Sequence, residues 1–169
     1  MRHVELALID SRRLRMDGTA RAGSRLPQQR PSPVSAQGLP TSGSLSRWAA
    51  VVATAPEPSL VLDADTVIVA ASCSGAEVIG LGDPVAARGR RLRESGVRLV
   101  DFTDPPDALD NAEADKIPPL LAISSGRLAR GLMRVMCPHT AEARTMDAVA
   151  TPLWENGVVA GSLTFFSQI

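Results

Sequence analysis

Residues 145–166, TMDAVATPLWENGVVAGSLTFF, carry two strand-like runs, Thr145–Leu153 and Val158–Phe166, around the turn Trp154-Glu155-Asn156-Gly157. Asn156-Gly157 is a strong short-range hairpin signal, because both residues tolerate the positive φ of a two-residue turn. A third run, Leu128–Cys137, precedes them across PHTAEAR, residues 138–144. The C-terminal part of the chain therefore reads as three consecutive antiparallel strands.

Upstream, SLVLDADTVIVAA (59–71) predicts two shorter strands, Ser59–Leu62 and Val67–Ala70. Asp63 and Asp65 between them suit a tight turn, since an Asp side chain can bond the backbone two residues on. Ser72 or Ser74 starts a brief helix through AEVIGL that ends at Gly80-Leu81-Gly82. Residues 83–117 show no periodicity, although a helix can lie within 105–115. Pro118-Pro119 opens a further helix that Gly126 closes. Before the first strand, Ser44 or Ser46 caps a helix over 45–54, with Leu45, Trp48, Ala49 and Val52 on one face. Pro56 and Pro58 stop it. The order is helix, two strands, helices, three strands. It predicts an α+β domain with a five-stranded antiparallel sheet and helices packed on one face.

The domain is expected over residues 44–169, with its core in 59–167. Residues 1–43 form a tail and arm. Nineteen of the thirty residues 17–46 are Gly, Pro, Ser, Thr or Gln, which cannot bury enough surface to offset chain entropy. That stretch is expected to be disordered. Within His3–Ile9, Val4, Leu6 and Leu8 alternate, which fits a short strand, a helical turn or a frayed tail.

Three segments together resemble the PAS domain family over about residues 47–169. PSLVLDADTVIVAASCSGAEVIGL (58–81) is similar to its opening strand, Asp-containing hairpin, strand and short helix. GRRLRESGVRLVDF (89–102) is similar to the segment before its central helix, and ATPLWENGVVAGSLTFF (150–166) to its closing hairpin. The chain departs from the pattern twice. Residues 83–100 are longer and more basic. The last strand runs to Ile169 without the Asp-Ile-Thr ending that leads into an effector domain, so no covalently attached output is expected on that side. The resemblance implies a sensory or protein-interaction module, with haem, flavin, a chromophore or a small ligand as possible occupants.

The residues offer little to such cofactors. Cys73 stands in Ala-Ser-Cys-Ser-Gly, which does not match the light-sensing flavin motif, and a Tyr for a Cys-linked chromophore is absent. His3 and His139 both lie off the central helix where a haem ligand belongs. No cofactor is expected. Cys137 and His139 are the closest Cys/His pair and a candidate for two ligands of a soft metal. The plain alternative is a buried Cys beside a loop His. No catalytic constellation is complete, so an enzyme is not expected.

Composition narrows the classes further. Eighteen Lys+Arg balance eighteen Asp+Glu over 169 residues, which argues against direct nucleic-acid binding. The charge is uneven. Residues 1–47 carry eight Arg against three acids, and residues 48–169 carry ten basic against fifteen acidic residues. Arg88, Arg90, Arg91, Arg93 and Arg98 form a basic cluster followed by an acidic one. These suit a partner contact or a solvated, mutually neutralised surface. No apolar run reaches the roughly 18 residues of a membrane span. Two distant cysteines give no disulfide framework, so a cytoplasmic, bacterial-type protein is expected.

Alternation divides the strands into two faces. Met133, Val135, Met146, Ala148, Gly161, Leu163 and Phe165 are assigned to a face toward the helices, either as an apolar pocket or as plain core. Leu132, Met136, Val149, Val158 and Phe166 are assigned to the opposite face, which with Trp48 is expected to bind a second subunit. The leading expectation is a stand-alone PAS-like module that homodimerises and contacts an unidentified partner protein in signalling or transcriptional control. A small-ligand or redox sensor using the pocket or Cys73 and Cys137 is the alternative. A small α+β barrel enzyme is the third.

Overall fold

The computed structural model describes residues 43–138, 140 and 142–169. The expectations placed on residues 1–42 and on His139 lie outside the described residues. The elements are α1 (Ser44–Val52), β1 (Ser59–Asp63), β2 (Ile68–Ala71), α2 (Cys73–Val78), α3 (Pro84–Ala87), a 3-10 turn (Leu92–Glu94), β3 (Arg98–Val100), α4 (Asn111–Ala114), α5 (Pro118–Ser125), β4 (Ala129–Met136), β5 (Ala143–Glu155) and β6 (Val158–Gln168). The expected arm overran by three residues, because Ser44, Leu45 and Ser46 form the first turn of α1.

The sheet is antiparallel, in the order β2-β1-β6-β5-β4-β3. It has six strands rather than the expected five. The extra one, β3, is three residues long and too short for alternation to reveal. Part of each edge is covered by the chain itself. Along β2, Gly89 N–H donates to Ile68 O and Ile68 N–H to Arg90 O, each at 2.9 Å. Along β3, Asp101 N–H donates to Asp107 O at 2.8 Å and Leu109 N–H to Leu99 O at 3.1 Å.

Local chemistry fixes each turn. Asp63 Oδ1 accepts from the N–H groups of Asp65 and Val67, both at 2.9 Å, which builds the β1–β2 turn. Asn156 and Gly157 take positive φ, as the hairpin signal requires. Ser72 caps α2 by accepting from Gly75 N–H at 3.0 Å, and its hydroxyl donates to Glu57 O at 2.8 Å. Gly126 closes α5 in the left-handed conformation. The N-terminus of α1 is capped from far along the chain: Leu45 N–H donates to Glu155 Oε1 at 2.7 Å.

One irregularity decides which residues face the core. Beyond the β5–β6 turn, Glu155 pairs with Val158 and Trp154 with Val159, but Leu153 pairs with Gly161. Ala160 is therefore an extra residue, a β-bulge, and it reverses the facing of the rest of β6. Phe166, paired with Ala148, lies in the main core with Met146, Met133, Val135, Leu60, Leu62 and Ile79. Gly161, Leu163 and Phe165 lie on the other side. The expected phase of β6 is thus corrected: Phe166 belongs to the helix-facing layer, and Gly161, Leu163 and Phe165 do not.

Helix α5 sits closely on the helix-facing layer because the strands beneath it carry small residues. Ala122 packs with Ala129 and Ala150. Ser162 Oγ donates to Pro119 O at 3.0 Å. A methyl at Gly131 would stand 3.6 Å from Pro118 Cγ. In the same layer Thr164 is fully buried, and its hydroxyl has no hydrogen-bond partner among the described residues.

Two substitutions test this arrangement. A Cβ at Gly161 would lie 2.0 Å from Leu62 O and 2.9 Å from Leu45 Cδ1. Gly161→Ala is expected to cost about 3 kcal/mol in denaturant unfolding, and wild-type stability would contradict the bulge. Thr164→Val removes an unsatisfied buried hydroxyl at nearly constant shape. It is expected to leave stability unchanged or raise it by about 1 kcal/mol. A clear loss would mean that the hydroxyl has a partner.

Candidate functional site

The site is the sheet face away from α2 and α5. Its residues follow from the register. One row is Ser59, Phe165, Val149 and Arg130; the next is Ser167, Asp147 and Leu132. On the other side of the first row lie Val61, Leu163 and Thr151, followed by Asp63, Gly161 and Leu153.

Helix α1 covers only these last two rows. Its Ala49 and Val52 pack with Val61, Ala70, Leu153 and Leu163, and Leu45 joins from the edge. Burial on the scale of those side chains is worth roughly 1.5–3 kcal/mol each. Trp48 does not join them. It was expected on the packed stripe, but it points away from the sheet and is 39% exposed, with Val51 beside it at 54%.

The rows that α1 leaves bare are apolar at their centre. Phe165 is 43% and Leu132 48% exposed, and Val149 and Met136 are half-buried. Charged groups frame them. Arg130 donates to both Asp147 oxygens, with Nε–Oδ1 at 3.2 Å and Nη2–Oδ2 at 2.6 Å. The Asp147 carboxylate raises the Arg130 guanidinium above its ordinary value through these bonds. Arg134 Nη1 donates to Thr103 O at 3.1 Å and fastens the 101–108 loop at the far rim. That loop is built on Asp101, whose carboxylate accepts from Asp107 N–H at 2.8 Å and from the Thr103 hydroxyl at 2.7 Å. Bonding from Asp107 and Thr103 holds its carboxyl below the ordinary value of 3.8. The stabilisation that these bonds give the loop is therefore fully present above that ordinary value and is lost as the pH falls through the lower folded-state value.

The other singled-out residues are scattered. Met133, Val135, Met146 and Ala148 are core side chains on the helix-facing layer. Val158 stands exposed beside the hairpin turn, at the end of the sheet. Cys73 is exposed at the start of α2, and Cys137 is buried. Among the described residues no three His, Cys, Asp or Glu side chains converge on a metal-sized point. Of the basic cluster, Arg93 is held by Asn111 and Asp115, while Arg88, Arg90 and Arg91 are exposed next to the β2 edge. Sequence reasoning missed Glu155 as the cap of α1, a pairing 110 residues apart that no local pattern encodes. No helix among the described residues is long and apolar enough to cross a membrane.

No protein-family model and no curated protein match the sequence. Solved structures do match the fold. A VqmA dimer structure from Vibrio cholerae, described among LuxR-type receptors, is similar at 18% identity and a TM-score of 0.52, covering 73% of this chain and 50% of that one. The chain thus spans about half the length of VqmA. The PAS domain of a Colwellia psychrerythraea protein is similar at 14% identity and a TM-score of 0.51, covering 74% of this chain and 96% of that domain. An RNA-binding light-oxygen-voltage receptor is similar at 19% identity and a TM-score of 0.53, covering 81% of this chain and 36% of that one. The α+β sheet, its strand order and these likenesses agree: the described part of this chain has a PAS-like fold.

Proposed function

We propose that this PAS-like domain is a signalling module that homodimerises through the outer sheet face and α1, and regulates a partner protein by exchanging contacts there. The observation that carries the reading is the bare apolar centre Phe165–Val149–Leu132 on a sheet whose two edges are each partly covered by the chain itself. A closed edge leaves no row of free N–H and C=O groups for a partner strand. Strand addition is thus restricted, and the exposed apolar face is the surface this reading assigns to a partner. Apolar side chains grouped in this way on a soluble domain mark an interaction site, and two-fold homodimers are the commonest solution. The fold neighbours support the class: one is a VqmA dimer, and another a light-oxygen-voltage receptor.

The domain proposed for this role is residues 44–169. Residues 43–169 carry eleven basic and fifteen acidic residues. That balance disfavours phosphate-backbone binding by the domain itself, although the neighbouring proteins are described with DNA and with RNA. A reducing, cytoplasmic setting fits two cysteines that are both free.

A second reading, a small-ligand sensor, draws on one observation. The Thr164 hydroxyl is buried without a partner in the layer beneath α5, and an orphaned group of this kind can be satisfied by a bound molecule or a water. VqmA is described bound to DPO. Native mass spectrometry of protein purified from its own host separates the two readings, because a bound small molecule adds mass to each protomer.

Val149→Asp or Phe165→Asp places a charge in the proposed seam. Either is expected to weaken the dimer at least about hundredfold while leaving the circular dichroism of the sheet unchanged. A wild-type protein that light scattering finds monomeric at tens of micromolar would sink the dimer. The purified protein is also expected to be colourless; a Soret band or a flavin spectrum would refute that.

A further inference from the structure

The basic cluster read from the sequence has no part in the proposed dimer, and the structure divides it. Arg93 is held by Asn111 and Asp115. Arg98 lies on β3, at the opposite edge of the sheet from β2. Arg88, Arg90 and Arg91 stay together on the stretch that runs beside β2. All three are exposed, and none makes a hydrogen bond or ion pair through its side chain among the described residues. We infer that this stretch is a docking surface for a short acidic segment of a partner protein, separate from the outer sheet face.

The backbone presents these groups in a fixed way. Gly89 N–H donates to Ile68 O and Ile68 N–H to Arg90 O, each at 2.9 Å, and Leu92 N–H donates to Thr66 O at 3.0 Å. The resulting bridge between Val67 and Arg91 turns the N–H and C=O of Arg91 itself away from β2. Arg91 O accepts from Glu94 N–H at 2.9 Å, while Arg91 N–H has no partner among the described residues. A free backbone donor thus stands among three free guanidinium groups, a set that suits carboxylate oxygens. At Gly89, which has a φ of +80°, an added Cβ would meet nothing within 4 Å, so a partner main chain can come close. The neighbouring acids do not neutralise the cluster. Asp63 and Asp83 are spent on N–H groups of their own turn and cap. Asp65, beside Thr66, and Glu94 make no ion pair among the described residues.

Charge and composition select the kind of partner. Residues 43–169 carry eleven basic and fifteen acidic residues, and setting the three arginines aside leaves eight against fifteen. A long polyanion running past the cluster would meet a surface of its own sign, whereas a segment of a few acidic residues would touch the cluster alone. Residues 83–98 also contain no aromatic side chain, and single-stranded nucleic acid draws much of its binding from bases stacked on aromatics. An extended peptide offers a carboxylate on one edge about every 7 Å, which matches arginines spread over four consecutive residues. One exposed ion pair shifts an equilibrium by no more than about fivefold. Three acting together give a weak but specific site, with a dissociation constant on the order of 0.1 mM at low salt.

The test measures fluorescence anisotropy of a labelled peptide with six consecutive glutamates, titrated with the full chain at low salt. Binding is expected, and it is expected to weaken as salt rises because exposed charges are screened. Replacing Arg88, Arg90 and Arg91 together by Ser is expected to weaken it at least about tenfold with the circular dichroism of the sheet unchanged. Should that triple variant fail to fold, the single changes Arg90→Ser and Arg91→Ser carry the test, each with an expected loss of about twofold to fivefold. Arg98→Ser, at the other edge, is expected to bind as wild type does. Phe165→Asp is also expected to bind normally, so loss of the dimer and loss of this surface are read separately. Equal binding by wild type and the Ser variants overturns the inference, as does a peptide that fails to bind at millimolar protein. So does a weakening by Arg98→Ser or Phe165→Asp as large as that of the triple variant, because the peptide then sits elsewhere. A labelled hexauridylate that binds more tightly than the peptide and is lost in the Ser variants also overturns it, because the surface then takes nucleic acid.

Discussion

A single extra residue, Ala160, sets the layout of this domain. By widening β6 opposite Leu153 and Trp154, it hands Phe166 to the core and Phe165 to the outer face. Everything on either side depends on that exchange. On the inner side, Phe166 joins Met146, Ala148 and the β1 leucines as part of the main core. On the outer side, Leu163 becomes a floor for α1, and Phe165 is left beyond the reach of a nine-residue helix. The bulge sits beside Gly161 because only a residue without a Cβ lets β1 and Leu45 come so near.

The outer face is therefore made of two unlike halves. One is dry and packed under α1; the other is an apolar strip bounded by the Arg130–Asp147 pair and by the Arg134-fastened loop. The partly covered edges restrict strand addition and leave this strip as an exposed apolar surface. That restriction gives the dimer reading its weight, since an apolar patch alone is common on protein surfaces. The Arg130–Asp147 pair adds little stability to the domain itself, because Arg130 is solvent-exposed.

Much of the architecture was legible from residues alone. The Asp63 turn, the Asn156-Gly157 hairpin, the Ser72 cap and the Pro118-to-Gly126 helix each rest on local chemistry that a short window contains. The strands followed from alternation. What was not legible depended on events outside any window. A bulge moves the facing of half a strand without leaving a sequence mark, and Ala160-Gly161 and Phe165-Phe166 are both doublets that read equally well in either phase. The same doublets hid the candidate site: Phe165 and Phe166 exchanged roles, whereas Leu132, Met136 and Val149 were placed on the correct face because β4 and β5 pair without a shift before Leu153. Trp48 was misplaced because a helix of period 3.6 can put either Leu45–Ala49–Val52 or Leu45–Trp48–Val52 on its stripe, and only packing chooses. Strand β3 fell below the length that periodicity can report.

The cap from Glu155 to Leu45 has a mechanical meaning. The chain enters the domain at Gly43, and the first groups it meets are the Glu155 carboxylate and the Gly161 region, both on the β5–β6 hairpin. Helix α1 is thus tied to that hairpin through its cap, and to β1 and β2 through Val61 and Ala70. The same hairpin carries the bulge and, farther along, Val149 and Phe165. The two strands of the hairpin thus join the helix cap at one end to the exposed strip farther along, so the position of α1 and the layout of the strip are set by one covalent unit.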